Sequence, residues 1–149
     1  MDTIASFEVD HTRLVPGMYV SRVDGDIVTY DLRLCRPNRE TLPIAAMHTL
    51  EHLFAVLVRN GSFGKYIIYF GPMGCRTGFY LLVRDLSPAE CIGLVRKTFC
   101  RIAAWEGVVP GCSEKECGNW KEHNLADAVR AAKQYCSVLE HVSENTLKY

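Results

Sequence analysis

The sequence has few of the features that direct a chain to a membrane, to nucleic acid or to export. Its apolar runs are short: residues 66–70 and 79–83 are each five long, far below the roughly 20 residues of a membrane-spanning helix. Lysine plus arginine equals aspartate plus glutamate, at 17 each, so no net charge attracts nucleic acid or a lipid surface. The first residues include Asp2, Glu8 and Asp10 without a basic-then-apolar stretch, so no secretory signal is expected.

The cysteines also lack a pattern that indicates a disulfide or finger-type framework. There are seven, an odd number, and none forms a C-x-x-C pair. Without an export signal, we expect reduced thiols and a cytoplasmic protein. Four of the seven lie within or beside apolar patterns and are expected to pack in the core; they are Cys35, Cys91, Cys100 and Cys136.

No repeat, linker or low-complexity tract divides the chain, and residues 1–149 are expected to form one domain. Short β-prone runs predict four strands, the first two joined by a turn at Asp24-Gly25. The predicted strands are 18–23, 27–34, 65–70 and 79–84. In the second strand, Arg33 and Asp31 are expected on the polar face.

Three helices are predicted from apolar periodicity and capping residues. They run from near Thr41 to Asn60-Gly61, from a capping box at Ser87 to about Trp105, and from about Lys121 to Glu140. Because the strands come in pairs, the pattern predicts an α+β fold, with an antiparallel sheet of about four strands and helices packed on one face.

Two histidines and a glutamate occur within five residues, as His48-Thr49-Leu50-Glu51-His52. In a helix, His48 and His52 are about 6 Å apart along the axis and share a face, so both can bind one cation. Glu51 lies next to them, where it can move a proton without being a ligand. This H-x-x-E-H order is typical of reactive metal sites and predicts a metal centre.

A catalytic divalent ion usually has three protein ligands and an open position, so a third ligand is required. The eligible residues are His11, His123, His141, the seven thiols and the carboxylates. Cys117 is favoured because its polar loop, residues 113–119, allows a thiolate to point outward. The alternative is that Cys117 is an ordinary loop thiol. His123 and His141 are expected to be surface residues.

Cys75 is a second candidate for chemistry. It lies in the connection between the third and fourth predicted strands, and such loops commonly present reactive groups. The adjacent Arg76 could lower the pKa of its thiol. A half-buried cysteine that fills a turn explains the same position equally well.

Five blocks of residues occur in one order between Ser6 and about Leu125. They are Ser6-Phe7 with Asp10-His11, Asp31-Leu32-Arg33 with Pro37-Asn38, His48-Thr49-Leu50-Glu51-His52-Leu53, Pro72-Met73-Gly74-Cys75-Arg76-Thr77-Gly78, and Glu116-Cys117-Gly118-Asn119. Together these blocks resemble the LuxS family, the bacterial S-ribosylhomocysteine lyases that make the precursor of autoinducer-2.

The resemblance implies a role for each matching residue. His48, His52 and Cys117 would bind the metal, which in this family is ferrous iron, replaceable by zinc or cobalt. Glu51 and Cys75 would be the acid/base groups. The residues that would line the substrate pocket, formed across a homodimer interface, are Ser6, Phe7, His11 and Arg33. Without the resemblance, His11 is a loop histidine and Arg33 a surface arginine paired with Asp31.

The implied reaction converts S-ribosyl-L-homocysteine to L-homocysteine and 4,5-dihydroxy-2,3-pentanedione. The thioether does not break under mild conditions until a carbonyl at C3 of the ribose makes the C4 proton acidic. The carbonyl therefore migrates from C1 to C3 through two enediolates before β-elimination. Each step removes one proton and returns another, which two bases can share, while a metal acts as a Lewis acid.

One departure from the family concerns the amino-acid end of the substrate. Ahead of the Pro72 block, many relatives carry an acidic residue and a serine, whereas this chain has Tyr69 and Gly71. The contacts that hold the homocysteine amino group are therefore expected to differ here.

Two other function classes fit part of the pattern. A metallopeptidase of the inverzincin type would use Glu51 to activate a metal-bound water, but such enzymes take a distant glutamate as third ligand and belong to longer chains. A metal-stabilised binding module without activity would have a closed fourth coordination position, whereas an exchangeable water would argue against it.

Overall fold

The computed structural model of the protein describes residues 2–149. Four strands form one sheet: β1 (Gly17–Asp24), β2 (Ile27–Arg33), β3 (Ile67–Pro72) and β4 (Gly78–Arg84). Their spatial order is β1-β2-β4-β3, and every neighbouring pair is antiparallel. The predicted hairpin is present, and Gly25 adopts φ +61°, which glycine tolerates at no steric cost.

Three long helices and one single-turn helix accompany the sheet. They are α1 (Ala5–Glu8), α2 (Ile44–Arg59), α3 (Pro88–Ala103) and α4 (Leu125–Leu139), with 3₁₀ turns at Gly64–Tyr66 and Glu144–Thr146. Helices α2, α3 and α4 pack on one another, and α2 also packs on β3. The predicted α+β fold is therefore confirmed, and none of the helices in residues 2–149 is long and apolar enough to cross a bilayer.

A chain of aromatic contacts marks the core between the helices and the sheet. Phe54 of α2 stacks on Phe70 of β3 with ring centroids 4.0 Å apart, and Phe70 stacks on Phe79 at 4.8 Å. Phe99 of α3 links Phe54 to Tyr135 of α4, at 5.4 and 4.8 Å. This packing fixes α2, which carries the histidine motif, against the sheet.

Two predicted helix starts were too early. Helix α2 begins at Ile44 rather than near Thr41, because Pro43 adopts ψ 140° and ends an extended segment. Helix α4 begins at Leu125 rather than about Lys121, because the Asn124 side chain accepts the Asp127 amide and caps the helix there.

The core prediction for the cysteines was correct only in part. Cys35 and Cys91 are buried, and burial raises the pKa of these thiols to about 11 and about 12. Cys136 is half-buried against the core, with its Sγ 3.6 Å from that of Cys100. Cys100 itself is exposed, so its assignment to the core was wrong.

Candidate metal centre

Helix α2 presents the two motif histidines side by side. Their ring centroids are 4.7 Å apart, and both side chains are half-buried. The helix period places residues four apart on one face, as the sequence predicts. Glu51, one residue before His52, is also half-buried and is not a member of the donor group described below.

Four side chains converge at this face of α2. The candidate ligand atoms of His48, His52, Cys117 and His123 all lie within 4.8 Å of one another. Cys117 therefore reaches the two histidines from a distant part of the chain, and its Sγ is 3.3 Å from His48 Nε2. His123 was expected at the surface; this was wrong, because the segment between Cys117 and α4 folds back over α2.

Backbone carbonyls fix the orientation of both motif histidines. His48 Nδ1 is 2.8 Å from the carbonyl oxygen of Glu122, and His52 Nδ1 is 2.9 Å from that of Pro110. A carbonyl only accepts, so each Nδ1 carries the hydrogen and each Nε2 keeps a free lone pair. Histidines that bind a metal usually donate a hydrogen bond from their other ring nitrogen in this way.

Gly111, which follows Pro110, lets the loop between α3 and α4 approach His52 closely. It adopts φ +71°, and a Cβ there would lie 3.3 Å from His52 Nδ1. A side chain would be strained by this backbone conformation and crowded by the imidazole ring. Pro110 and Gly111 lie in the loop between α3 and α4, and no local sequence pattern predicted their contacts with His52.

The donor set fits a divalent transition metal. Imidazole nitrogens with a thiolate suit Fe²⁺, Zn²⁺ and Co²⁺ alike, so the ligand types do not select among these ions. The backbone amide of Asn119 lies 3.5 Å from Cys117 Sγ. Burial lowers the pKa of His123, and the adjacent His48 and His52 lower it further, which favours a neutral ring.

Cys75 belongs to a separate polar cluster at the sheet edge of the β3–β4 connection. Its Sγ is 3.1 Å from the Thr77 hydroxyl and 3.8 Å from Nη1 of Arg33. The same Nη1 donates to Thr77 Oγ1 at 2.6 Å, so the hydroxyl hydrogen is free to point at the sulfur. The expectation for Arg76 was wrong: its guanidinium is directed at the Leu42 carbonyl, and Arg33 is the cation beside the thiol.

These contacts lower the pKa of Cys75. Burial alone would raise it, but hydrogen bonds from the Thr77 hydroxyl and amide, together with the Arg33 charge, outweigh that effect. A thiol with a lowered pKa is a thiolate over a wider pH range.

We expect Thr77→Val to shift the pH dependence of Cys75 alkylation to higher pH, because the variant loses the hydroxyl that stabilises the thiolate. Thr77→Ser, which retains the hydroxyl, should keep the wild-type midpoint. Iodoacetamide labelling at a series of pH values, followed by mass spectrometry of the peptide that contains Cys75, measures both. Equal midpoints for Thr77→Val and wild type would show that Thr77 does not stabilise the thiolate.

Arg33 lies on the predicted polar face of β2, yet that face is not solvent-exposed here. Arg33 is 2% exposed and Asp31 0%, and their side chains pair at 2.5 Å. The Tyr149 hydroxyl also donates to Asp31, at 2.7 Å. Arg33 Nε and Asp31 Oδ1 are buried without a hydrogen-bond partner among residues 2–149. This pair therefore retains one buried donor and one buried acceptor without a partner in the part of the chain that the structure describes.

The predicted substrate residues of the N-terminal segment lie apart from the metal donors. Ser6 and Phe7 are on α1, which packs on β1, and Phe7 is 77% exposed. His11 Nδ1 lies 2.8 Å from the carbonyl oxygen of Val9. A cavity of about 810 Å³ next to this segment is lined by Asp10, Tyr19, Tyr149 and neighbouring residues, and by none of the four donors.

Comparison with known proteins decides the family. The family described as S-ribosylhomocysteinase (LuxS) matches residues 4–146. The chain belongs to the LuxS family. The S-ribosylhomocysteine lyase of Borreliella burgdorferi (strain ATCC 35210) is 45% identical over 156 residues, covering 100% of this chain and 99% of that protein. The S-ribosylhomocysteine lyase of Clostridium acetobutylicum is 44% identical to this chain over 156 residues, covering 100% of this chain and 99% of that protein. That of Phocaeicola vulgatus is 46% identical over 157 residues, covering 100% of this chain and 98% of that protein.

LuxS membership confirms the resemblance carried by the five blocks, and the structure explains how the departure at Tyr69 and Gly71 is accommodated. The two residues are two apart on β3, so they share a face of the strand. A Cβ at Gly71 would overlap the phenol of Tyr69. The tyrosine ring thus occupies the space that a serine side chain at position 71 would need.

Proposed function

We propose that the protein is a metal-dependent carbon–sulfur lyase that cleaves S-ribosyl-L-homocysteine to L-homocysteine and 4,5-dihydroxy-2,3-pentanedione, the precursor of autoinducer-2. The observation that carries this proposal is the convergence of two imidazole Nε2 lone pairs and a thiol, from His48, His52 and Cys117, in a chain of the LuxS family. These three residues are the proposed metal ligands. A bound divalent ion, Fe²⁺ by the family resemblance with Zn²⁺ or Co²⁺ as replacements, would supply a Lewis acid for the substrate's carbonyl and hydroxyl oxygens.

The proton transfers are assigned to Cys75 and Glu51. Migration of the carbonyl from C1 to C3 needs a proton removed from one carbon and returned to its neighbour, twice. Cys75 is suited to this task because Thr77 and Arg33 favour its thiolate. Glu51 is suited to it by its position on α2, one residue from a proposed ligand. Elimination then breaks the C5–sulfur bond, with the C4 proton accepted by a base and the homocysteine thiolate as leaving group.

The substrate site is proposed to form between two copies of the chain in a cytoplasmic homodimer. Ser6, Phe7 and His11 make no hydrogen bond or aromatic contact with the metal donors or Cys75 within residues 2–149. An aromatic ring as exposed as Phe7 is suited to an interface. Arg33 is proposed to contribute to the substrate site, as the family resemblance implies. No nucleic acid or membrane partner is proposed.

Incubation of the purified, Fe²⁺-loaded chain with S-ribosylhomocysteine tests the function directly. We expect release of one free thiol per substrate, together with a dicarbonyl product that diamine reagents trap. A metallopeptidase would instead cleave peptides, and an inactive binding module would hold metal without releasing thiol. Retention of intact thioether by the metal-loaded protein would overturn the proposal.

We expect Glu51→Gln to bind metal at the wild-type level but to lose turnover by about 100-fold or more, since it removes one of two bases. Metal analysis and thiol release on the same preparation measure the two properties. Glu122→Gln is the matched control, because only the backbone carbonyl of Glu122 contacts a proposed ligand. Wild-type turnover by Glu51→Gln would remove Glu51 from the chemistry.

A further inference from the structure

Tyr149, in the segment that follows α4, is connected by hydrogen bonds to the polar cluster around Cys75. Its hydroxyl donates to Asp31 Oδ2 at 2.7 Å. The same oxygen accepts a hydrogen bond from Arg33 Nη2 at 2.5 Å. Arg33 Nη1 in turn donates to the Thr77 hydroxyl at 2.6 Å and lies 3.8 Å from the Cys75 sulfur. One series of contacts therefore joins the Tyr149 phenol to the thiol.

Two further contacts place Tyr149 over Asp31. Its ring stacks on that of Tyr19, with centroids 5.0 Å and planes 20° apart, and Tyr19 is opposite Asp31 in the register of β1 and β2. Two residues before Tyr149, the Leu147 carbonyl accepts the Val20 amide of the edge strand β1 at 2.7 Å. The Leu147 side chain is buried. The segment that carries Tyr149 is thus fixed to the sheet.

The Tyr149 phenol is neutral and can therefore donate. Burial raises its pKa, and the negative charge of Asp31 raises the pKa further. Tyr19 of β1 and Tyr80 of β4 are both opposite Asp31 in the sheet, and the pKa of each is raised for the same two reasons. The charges of the network are those of Asp31 and Arg33, and the three tyrosines around them are neutral.

The carboxylate and the guanidinium meet through one oxygen only. Asp31 Oδ1, an acceptor, and Arg33 Nε, a donor, are both buried without a hydrogen-bond partner among residues 2–149. Such pairs frequently form two parallel hydrogen bonds, which would satisfy both atoms. The Tyr149 hydroxyl instead binds the oxygen that already accepts from Arg33. This hydrogen bond restrains the carboxylate in the one-oxygen arrangement and shares its negative charge.

We propose that Tyr149 is a positioning residue for the proposed base, Cys75. Its hydroxyl fixes the Asp31 carboxylate and, through it, the Arg33 guanidinium that faces the thiol. The inference rests on the proposed function and adds a residue to it. Because a guanidinium is planar and rigid, the contact that fixes Nη2 also fixes the direction of Nη1. Because the phenol shares the charge of Asp31, more of the positive charge of Arg33 is left to stabilise a thiolate.

Removal of the hydroxyl alone tests this role in the full chain. Tyr149→Phe keeps the ring that stacks on Tyr19 but cannot bind Asp31. We expect the midpoint of Cys75 alkylation by iodoacetamide to rise by about half a pH unit or more, so that below the midpoint the thiolate fraction is about threefold lower. The acidic limb of the pH profile of kcat should move in the same direction. Mass spectrometry of the peptide that contains Cys75 follows the alkylation.

Tyr19→Phe is the matched control. It removes the same group from the other ring of the stack, but that hydroxyl donates to the Val15 carbonyl and not to Asp31, so the wild-type midpoint is expected. A wild-type midpoint for Tyr149→Phe, or an equal rise in both variants, would overturn the proposal. Tyr149→Leu, which also lacks the hydroxyl, is measured in parallel. If neither Tyr149 variant folds, as thermal unfolding would show, Tyr149 is a structural residue and the proposal fails.

Thiol release from S-ribosylhomocysteine is measured on the wild-type protein of the same series, so that the two proposals fail separately. If the wild type releases no thiol but Tyr149→Phe raises the alkylation midpoint, the effect of Tyr149 on Cys75 stands and the lyase function is lost. If the wild type releases thiol and Tyr149→Phe leaves the midpoint unchanged, the lyase function stands and the positioning role is lost.

Discussion

Cys75→Ala is expected to lower the turnover of S-ribosylhomocysteine by about 10²–10⁴-fold while the chain keeps its metal, because the change removes a base but none of the donor group. Cys75 can act as a base because its thiolate is stabilised by two neighbours. Arg33 donates to the Thr77 hydroxyl, and this hydroxyl is placed to donate to the Cys75 sulfur. Alanine has no group that can accept a proton. Thiol release and metal content, measured on the same sample, separate the loss of chemistry from a loss of the ion.

Cys100→Ala is the matched control for that experiment. Cys100 is exposed on α3 and touches neither the donor group nor the Arg33 cluster, so its removal should leave turnover and metal content unchanged. If Cys75→Ala retained most of the wild-type rate, Cys75 would be a structural residue and the assignment of the two bases would be wrong.

Cys117→Ala should produce the opposite pattern, in which the ion is lost and activity disappears with it. Cys117 supplies the only sulfur among the four donors, and it alone among them can add a negative charge to the site. Loss of a residue that hydrogen-bonds a metal ligand lowers metal affinity by about 10–100-fold, and loss of this direct ligand should lower it further. Competition with a chelator, followed by metal analysis of the dialysed protein, measures the effect.

Cys112→Ala tests whether another thiol of the same loop contributes to metal binding. Cys112 is half-buried five residues earlier and is not in the donor group, so this variant should keep wild-type metal affinity. A Cys117→Ala protein that retained one ion per chain with unchanged affinity would contradict the three-ligand site.

The fold was predictable where local pattern and tertiary structure agree. The strands, the hairpin turn at Gly25 and the capping box at Ser87 follow from residues close in sequence. The starts of α2 and α4 were misplaced because apolar periodicity continues past the point where the backbone changes direction. At α4 the deciding contacts are the Asn124 cap and its amide bond to Thr49, and the latter joins residues 75 apart in the chain.

The candidate site was predictable in its sequence motifs and not in its supporting contacts. Helical spacing brings His48 to His52, and the family blocks indicate Cys117 and Cys75. The position of His123 depends on how the segment after Cys117 returns to α2, which no local pattern encodes. The choice of Arg33 over Arg76 depends in the same way on β2 pairing with β4, which brings Arg33 opposite Gly78 and next to Thr77.

The most direct measurement is a crystal structure of the Zn²⁺-loaded protein with an anomalous difference map at the metal absorption edge. The proposed three-residue metal site predicts one peak per chain, about 2.0–2.1 Å from Nε2 of His48 and of His52 and about 2.3 Å from Sγ of Cys117. A peak elsewhere, or a Cys117 sulfur directed away from an ion held by the two histidines, would contradict it.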